Sequence, residues 1–226
     1  MFINQVNDKI ALKLPTQSDA EPLLELIDED RQYLGKWLPW VKLLVATSDE
    51  RDFLQDGAEK MAQGDFWFAI ILVDGEVAGM LDLHGFNQTH HRCQIGYWLG
   101  SRFQGQGVMT ICVAALEKIA FEELNMNRLE LMADKHNQKS RSVAEHRDFH
   151  LDGILSQYAF YNGAYRDMAL YSKLRQKQML KFSRDVQKPS NFRPYKPCKP
   201  IFQNQEYWCS WATVPKRAKE PQLPAI

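Results

Sequence analysis

The alternation of apolar and polar side chains lays out most of the elements. Ile10, Leu12 and Leu14 alternate with Ala11 and Lys13, the period-two pattern of a half-buried strand. Ser18, with Glu21 three positions on, predicts a capping box, and Pro22 falls in the first turn, where a missing N–H costs little. Leu23, Leu24, Leu26 and Ile27 continue at helical spacing, and a second helix is predicted from Ser48 or Asp49 to Met61. Phe66 to Val73 is an unbroken apolar run, a strand covered on both faces. Asp74-Gly75 marks a hairpin, and Glu76 to Phe86 is its return strand. Arg92 to Leu99 is the next strand, residues 100–107 form a glycine-containing turn, and Val108 to Leu124 is a helix with Ile111, Cys112, Ala115, Leu116, Ile119 and Ala120 on its apolar stripe. Arg128 to Ala133 alternates as a strand, Lys139 to Arg147 is a short helix, and Phe149 to Tyr161 with Ala164 to Leu174 forms a hairpin around Asn162-Gly163. The order β-α-α-β-β-β-α-β-α-β-β predicts a mixed α/β (α+β) domain.

Composition adds a boundary. The 226 residues are 45% hydrophobic and 25% charged, the balance of an ordinary globular chain. Basic and acidic residues number 28 each, but unevenly: from Lys181 onward there are nine Lys/Arg and three Asp/Glu, so residues 1–180 carry a net −6. The last 46 residues also hold seven of the ten prolines and seven aromatics, a density that blocks helices and internal strands. A domain over 1–180 and an irregular, basic Pro/aromatic-rich extension over 181–226 are expected. The extension's interleaved charges and rings also suit a tether to RNA.

Other patterns exclude functions. An acidic domain is a poor match for duplex DNA and suits a cationic protein better. No stretch approaches the roughly 20 apolar residues that span a bilayer, and Met1 to Asp8 lacks a signal-peptide pattern. Cys93, Cys112, Cys198 and Cys209 show no C-x-x-C spacing, and Glu145, His146 and His150 are not in the H-E-x-x-H order, so no metal is expected. The chain is expected to be soluble and cytoplasmic.

The chemistry is concentrated where the strand ending at Leu99 passes through Arg102, Gln104, Gly105, Gln106 and Gly107 into a helix beginning Val108-Met109-Thr110. Unpaired N–H groups at a helix start, with the helix dipole, bind anions, and glycines let a phosphate approach. No G-x-x-x-x-G-K-[ST] is present, and a dinucleotide fingerprint fails at Thr110.

The spacing Arg102-x-x-Gly105-x-Gly107 resembles the acetyl-CoA motif of the GNAT N-acyltransferases. Tyr33 to Trp40, Ile95 to Leu99, Asn137 to Arg141, and Asn162-Gly163 with Asp167, Met168 and Tyr171 are similar, as a set, to the RimJ/RimL-like branch, which acetylates N-termini of ribosomal proteins among other amines. The resemblance spans about residues 8–175. It implies a mixed sheet of about seven strands with its fourth and fifth strands (93–99 and 128–133) splayed. It places the pantetheine arm of acetyl-CoA on the backbone of Tyr97, Trp98 and Leu99. The pyrophosphate falls on the turn from Gln104 through Gly105, Gln106, Gly107, Val108 and Met109 to Thr110. Asn137 is implied to hydrogen-bond the arm, and Ser140 to be the acid for the leaving thiolate. Trp37 and Trp40 are candidates for the acceptor groove, and Lys139, Arg141 and Arg102 for the adenosine phosphate. The implied partners are acetyl-CoA and a protein N-terminus, ribosomal proteins included, or a small amine, with a homodimer also allowed.

Three departures qualify this. Relatives often have Glu where Gln94 stands, N-terminal acetylating members have a Glu where Ala159 stands, and Leu-Gly-Phe is common where Arg147-Asp148-Phe149 stands. Neither Gln94 nor Ala159 can take a proton, which leaves Asp82, His84 or a water relay as base. Acetylation of a polyamine or drug, and a catalytically weak coenzyme A-binding scaffold, are the alternatives.

Overall fold

The computed structural model describes residues 3–176, so the expectations for 181–226, and for Cys198 and Cys209, lie outside the described residues. The strands are β1 (Ile3–Gln5), β2 (Ile10–Lys13), β3 (Trp67–Val73), β4 (Glu76–Asn87), β5 (Arg92–Leu99), β6 (Arg128–Asp134), β7 (His150–Tyr161) and β8 (Ala164–Leu174). They form one sheet in the order β1-β2-β3-β4-β5-β6-β8-β7, eight strands against the seven expected. The extra strand, β1, is exposed along its length, so no burial pattern announced it. All neighbours are antiparallel except β5 and β6. The helices are α1 (Ala20–Glu29), α2 (Arg31–Leu34), α3 (Thr47–Gln63), α4 (Val108–Lys118) and α5 (Gln138–His146).

Helices cover both faces of the middle of the sheet, which is why Phe68 to Ile71 are buried one after another. Leu23, Leu24, Leu26 and Ile27 of α1 are buried as the helical spacing requires, each contributing about 1.5–3 kcal/mol. Two local readings change. Ser18 does not cap α1: it lies exposed in a 3-10 turn, Gln17–Asp19, whose capping box is made by Thr16 and the buried Asp19. The Asp19 carboxylate accepts from Thr16 N–H at 2.8 Å and is ion-paired with the buried Lys13. The helix after the glycine turn does not run uniformly to Leu124. It loosens into one wide turn over Ile119–Glu123, where Leu124 N–H reaches Ile119 O at 2.9 Å, and this delivers Met126 to the core.

Helix α5 ends in a Schellman motif: Phe149 N–H donates to Ala144 O at 3.0 Å and Asp148 N–H to Glu145 O at 3.1 Å. The motif needs a left-handed residue, and Asp148 supplies it at φ 56°. Asp148→Gly should therefore stabilise the fold by about 1 kcal/mol, read as a higher urea midpoint with an unchanged m-value.

Glu50 in the first turn of α3 is 0% exposed, and neither carboxyl oxygen has a hydrogen-bond partner. Burial pushes its carboxyl from 4.5 up to about 7. Between those values the fold keeps a proton that the unfolded chain has released, so stability falls as pH rises from 4.5 to 7 and is level above. Glu50→Gln should thus match the parent at pH 4.5 and exceed it by about 3 kcal/mol at pH 8, measured by urea unfolding at both.

Candidate active site

The parallel ladder between β5 and β6 runs from Arg92↔Arg128 to Ile95↔Leu131 and stops there. Above that point β5 stays paired with β4 as far as Leu99, and β6 stays paired with β8 as far as Asp134. The two strands therefore diverge with only their facing edges unpaired. Tyr97, Trp98 and Leu99 lie on one lip of the opening. The Trp98 side chain turns into the core and meets Trp40 edge-on, ring centroids 6.3 Å apart.

Beyond Leu99 the chain makes a 3-10 turn at Ser101–Phe103, pinned by Ser101 Oγ donating to Asp30 Oδ1 at 2.6 Å. This turn consumes the Gln104 amide, which donates to Ser101 O at 3.1 Å, so Gln104 N–H does not join the anion-facing row. Its side chain donates to Leu99 O at 2.8 Å and accepts from Lys139 Nζ at 2.9 Å. The row starts at Gly105. From there to Thr110 no amide has a protein acceptor among the described residues, and the first helical bond is Ile111 N–H to Gly107 O, 3.1 Å. Gly105 and Gly107 stand at φ 73° and 76°, a region costly for other residues, and a Cβ on either would meet open space. Six adjacent N–H groups at a helix N-terminus beside an unpaired strand edge fit the diphosphate and amide arm of coenzyme A.

On the opposite lip Asn137 caps α5, its Oδ1 accepting from Ser140 N–H at 3.2 Å. Ser140 Oγ shares a hydrogen bond with Tyr97 Oη at 3.0 Å. Burial raises the Tyr97 phenol, opposed by that bond, so it stays a proton donor. Of the cations proposed for phosphate, Lys139 reaches the glycine turn, through Gln104. Arg141 is committed inward, to Tyr171 Oη at 2.9 Å and Lys135 O at 3.0 Å, and Arg102 leans toward Glu76 at 3.6 Å. Cys93 and Cys112 are free and buried, with thiols pushed up to about 12, hence inert.

Beneath the apex of the splay, Asp82 is fully buried with Oδ1 2.6 Å from His84 Nδ1. Its register partner is Gly96, the first residue of β5 without a partner on β6, where a Cβ would run into the Asp82 carboxylate. His84 sits across from Gln94, and Gln94 in turn reaches Glu130 at 3.5 Å.

Beside the N-terminus of α5 opens a cleft of 430 Å³, lined by Lys36, Trp37, Asp134, His136, Asn162 and Arg166. Asn162 forms its roof, donating to Gly35 O at 3.0 Å and Lys36 O at 3.2 Å. Trp37 lines the cleft, whereas Trp40, three residues on, is buried in the core. Sequence reasoning missed Asp134. Its carboxylate accepts from Tyr161 Oη at 2.5 Å and His136 N–H at 2.8 Å. Only the polar residue at the end of an apolar strand hinted at it. Among the described residues no three His, Cys, Asp or Glu converge as a metal site, and no helix is long and apolar enough to cross a membrane.

The chain is similar to known proteins over most of its described length. The model of the acetyltransferase (GNAT) domain matches residues 9–150. A Bacillus subtilis (strain 168) protein named as a ribosomal N-acetyltransferase, YdaF, is 35% identical over 176 residues, 77% of this chain and 96% of its own length. Escherichia coli (strain K12) spermidine N(1)-acetyltransferase is 31% identical over 98 residues, 43% of this chain and 53% of its own. The structure of RimL, a ribosomal L7/L12 alpha-N-protein acetyltransferase in complex with coenzyme A, superposes with a TM-score of 0.74 at 26% identity, covering 76% of this chain and 98% of that one. With a splayed strand pair, a free amide row and a domain match over most of the described residues, this chain belongs to the GNAT acetyltransferase family.

Proposed function

We propose that this protein transfers the acetyl group of acetyl-CoA to the α-amine of a protein N-terminus in the cytoplasm, ribosomal proteins being the acceptors that its relatives' names suggest. The observation that carries the reading is the run of partnerless amides from Gly105 to Thr110 beside the unpaired edge of β5. These amides would hold the pyrophosphate, and the backbone of Tyr97 to Leu99, with Asn137, the pantetheine arm. Acetyl-CoA supplies an activated thioester, and the chain supplies position and proton transfer. Ser140 Oγ, steadied by its 3.0 Å bond to Tyr97 Oη, passes a proton to the departing sulfur and regains one through solvent from the amine that has attacked. The base falls to His84, across from Gln94, with Nδ1 held by Asp82 and Nε2 working through water.

The lack of a strong base favours α-amines. With a pKa of about 7.7–8.0 an α-amine is roughly 10–15% neutral at pH 7, and a lysine near 10.4 only about once in 2,500. A second reading, acetylation of a polyamine, draws on the spermidine-acetylating relative.

Free thiol should be released with acetyl-CoA and N-terminal peptides at least about tenfold faster than with lysine peptides or spermidine. Spermidine turning over best would replace this reading with the second. Coenzyme A binding without turnover on any amine would leave only a scaffold. Ser140→Ala should lower kcat about a hundredfold with KM for acetyl-CoA nearly unchanged, and Tyr97→Phe about tenfold. Gly107→Ala should weaken coenzyme A binding about tenfold by calorimetry, because the left-handed turn costs an alanine about 1–2 kcal/mol.

A further inference from the structure

The cleft beside α5 has an uneven charge. Asp134 is the one carboxylate among its lining residues. An adjoining hollow shares Lys36 and Asn162 and adds Arg31, Gln32, Gly35 and Lys42, with no acidic residue. Arg31 is neutralised by Asp28 and occupied by Val41 O and Leu44 O. Lys36, Lys42 and Arg166 are not: none has a carboxylate within ion-pair distance among the described residues. Lys36 Nζ lies 5.0 Å over the Trp37 ring, Lys42 Nζ donates to Asn162 Oδ1 at 2.5 Å, and the Arg166 guanidinium lies 5.4 Å over the Tyr161 ring. Two donors in the lining, Arg166 Nε and Trp37 Nε1, are shielded from solvent and have no acceptor. Buried donors without a partner are rare in folded proteins and call for an explanation, and an acceptor brought into the cleft by a substrate would supply one.

The polarity has a direction. Asp134 closes β6, three residues above the last paired position, Leu131, and His136 of the lining is followed directly by Asn137, the cap of the helix that carries Ser140. The carboxylate therefore ends the strand that leads directly into the helix of Ser140, and Lys42 lines the adjoining hollow. We propose that the cleft selects α-amines borne on an acidic N-terminal segment, the amine directed to Asp134 and the carboxylates of the following residues paired with Lys36, Lys42 and Arg166. This rests on transfer to a protein N-terminus and names its substrate class. It also disfavours a polycation, which would bring several ammonium groups against three unpaired cations.

The test compares peptides that share a free N-terminal serine followed by Asp-Glu-Asp, Ala-Ala-Ala or Lys-Arg-Lys, with spermidine alongside, by thiol release. The acidic peptide should show a kcat/KM at least about tenfold above the basic one, and the gap should narrow between about 20 mM and 500 mM NaCl. Lys36→Glu combined with Arg166→Glu should reverse the order, with melting temperature and coenzyme A affinity as controls for folding. Lys36→Gln alone should cost the acidic peptide about threefold to tenfold and the neutral one little. Equal kcat/KM on all three peptides overturns the charge selection and leaves N-terminal transfer standing. A preference for the basic peptide or for spermidine overturns it as well, and no turnover on any peptide overturns both.

Discussion

Backbone amides and carbonyls that lose their strand partner must find another, and the site is organised around one place where β5 and β6 lose theirs. Above Ile95 and Leu131 each strand keeps its outer neighbour, so the opening is rigid on both sides and unsatisfied only along its facing edges. Gly96 stands at the start of the divergence and has no side chain because the Asp82 carboxylate occupies the space one would need. A carboxylate buried that completely requires a partner, and His84 provides it. The apex of the opening is thereby tied to a residue able to move a proton.

An opening is useful only if the groups on its two lips keep their distance. Helix α5, which brings Asn137 and Ser140, is held at both ends. Near its start Lys139 bonds Gln104, the residue before the free amide row. At its end Arg147 makes a two-pronged pair with Glu117 of α4, at 3.0 and 2.9 Å, and Lys173 of β8 joins Glu117 at 2.8 Å. Hydrogen bonds to charged groups contribute about 1.5–3 kcal/mol each, and removing one member of such a set costs about 3–5 kcal/mol. Arg147 is thus a strut between the helix that follows the phosphate turn and the helix that carries Ser140.

The elements that positioned the site were legible because each writes a local pattern. Period-two alternation marked β2 and β6, Asn162-Gly163 marked the hairpin that roofs the cleft, and the two glycines marked the turn. What stayed hidden depends on residues distant in sequence. Tyr161 and Asp134 lie 27 positions apart and belong to no motif, so their pairing exists only once β8 stands between β6 and β7. Trp37 and Trp40 share one aromatic cluster, and only folding separates the ring at the cleft from the ring packed on Trp98. Gln104 belonged to the right turn, but its amide was already spent on Ser101.

The charge of the whole and the charge of the cleft point in opposite directions. Residues 1–180 carry a net −6, a distribution that taken as a whole attracts basic partners. Such a field fades within about 8–10 Å in salt, whereas groups lining a cleft act at contact distance, where screening is weak. Arg31 is paired with Asp28. Lys36 and Arg166 line the cleft and Lys42 the hollow beside it, so like charges gather there without a carboxylate paired to them among the described residues. An acidic segment entering would neutralise that charge and a basic one would add to it, so the arrangement sharpens the choice of occupant.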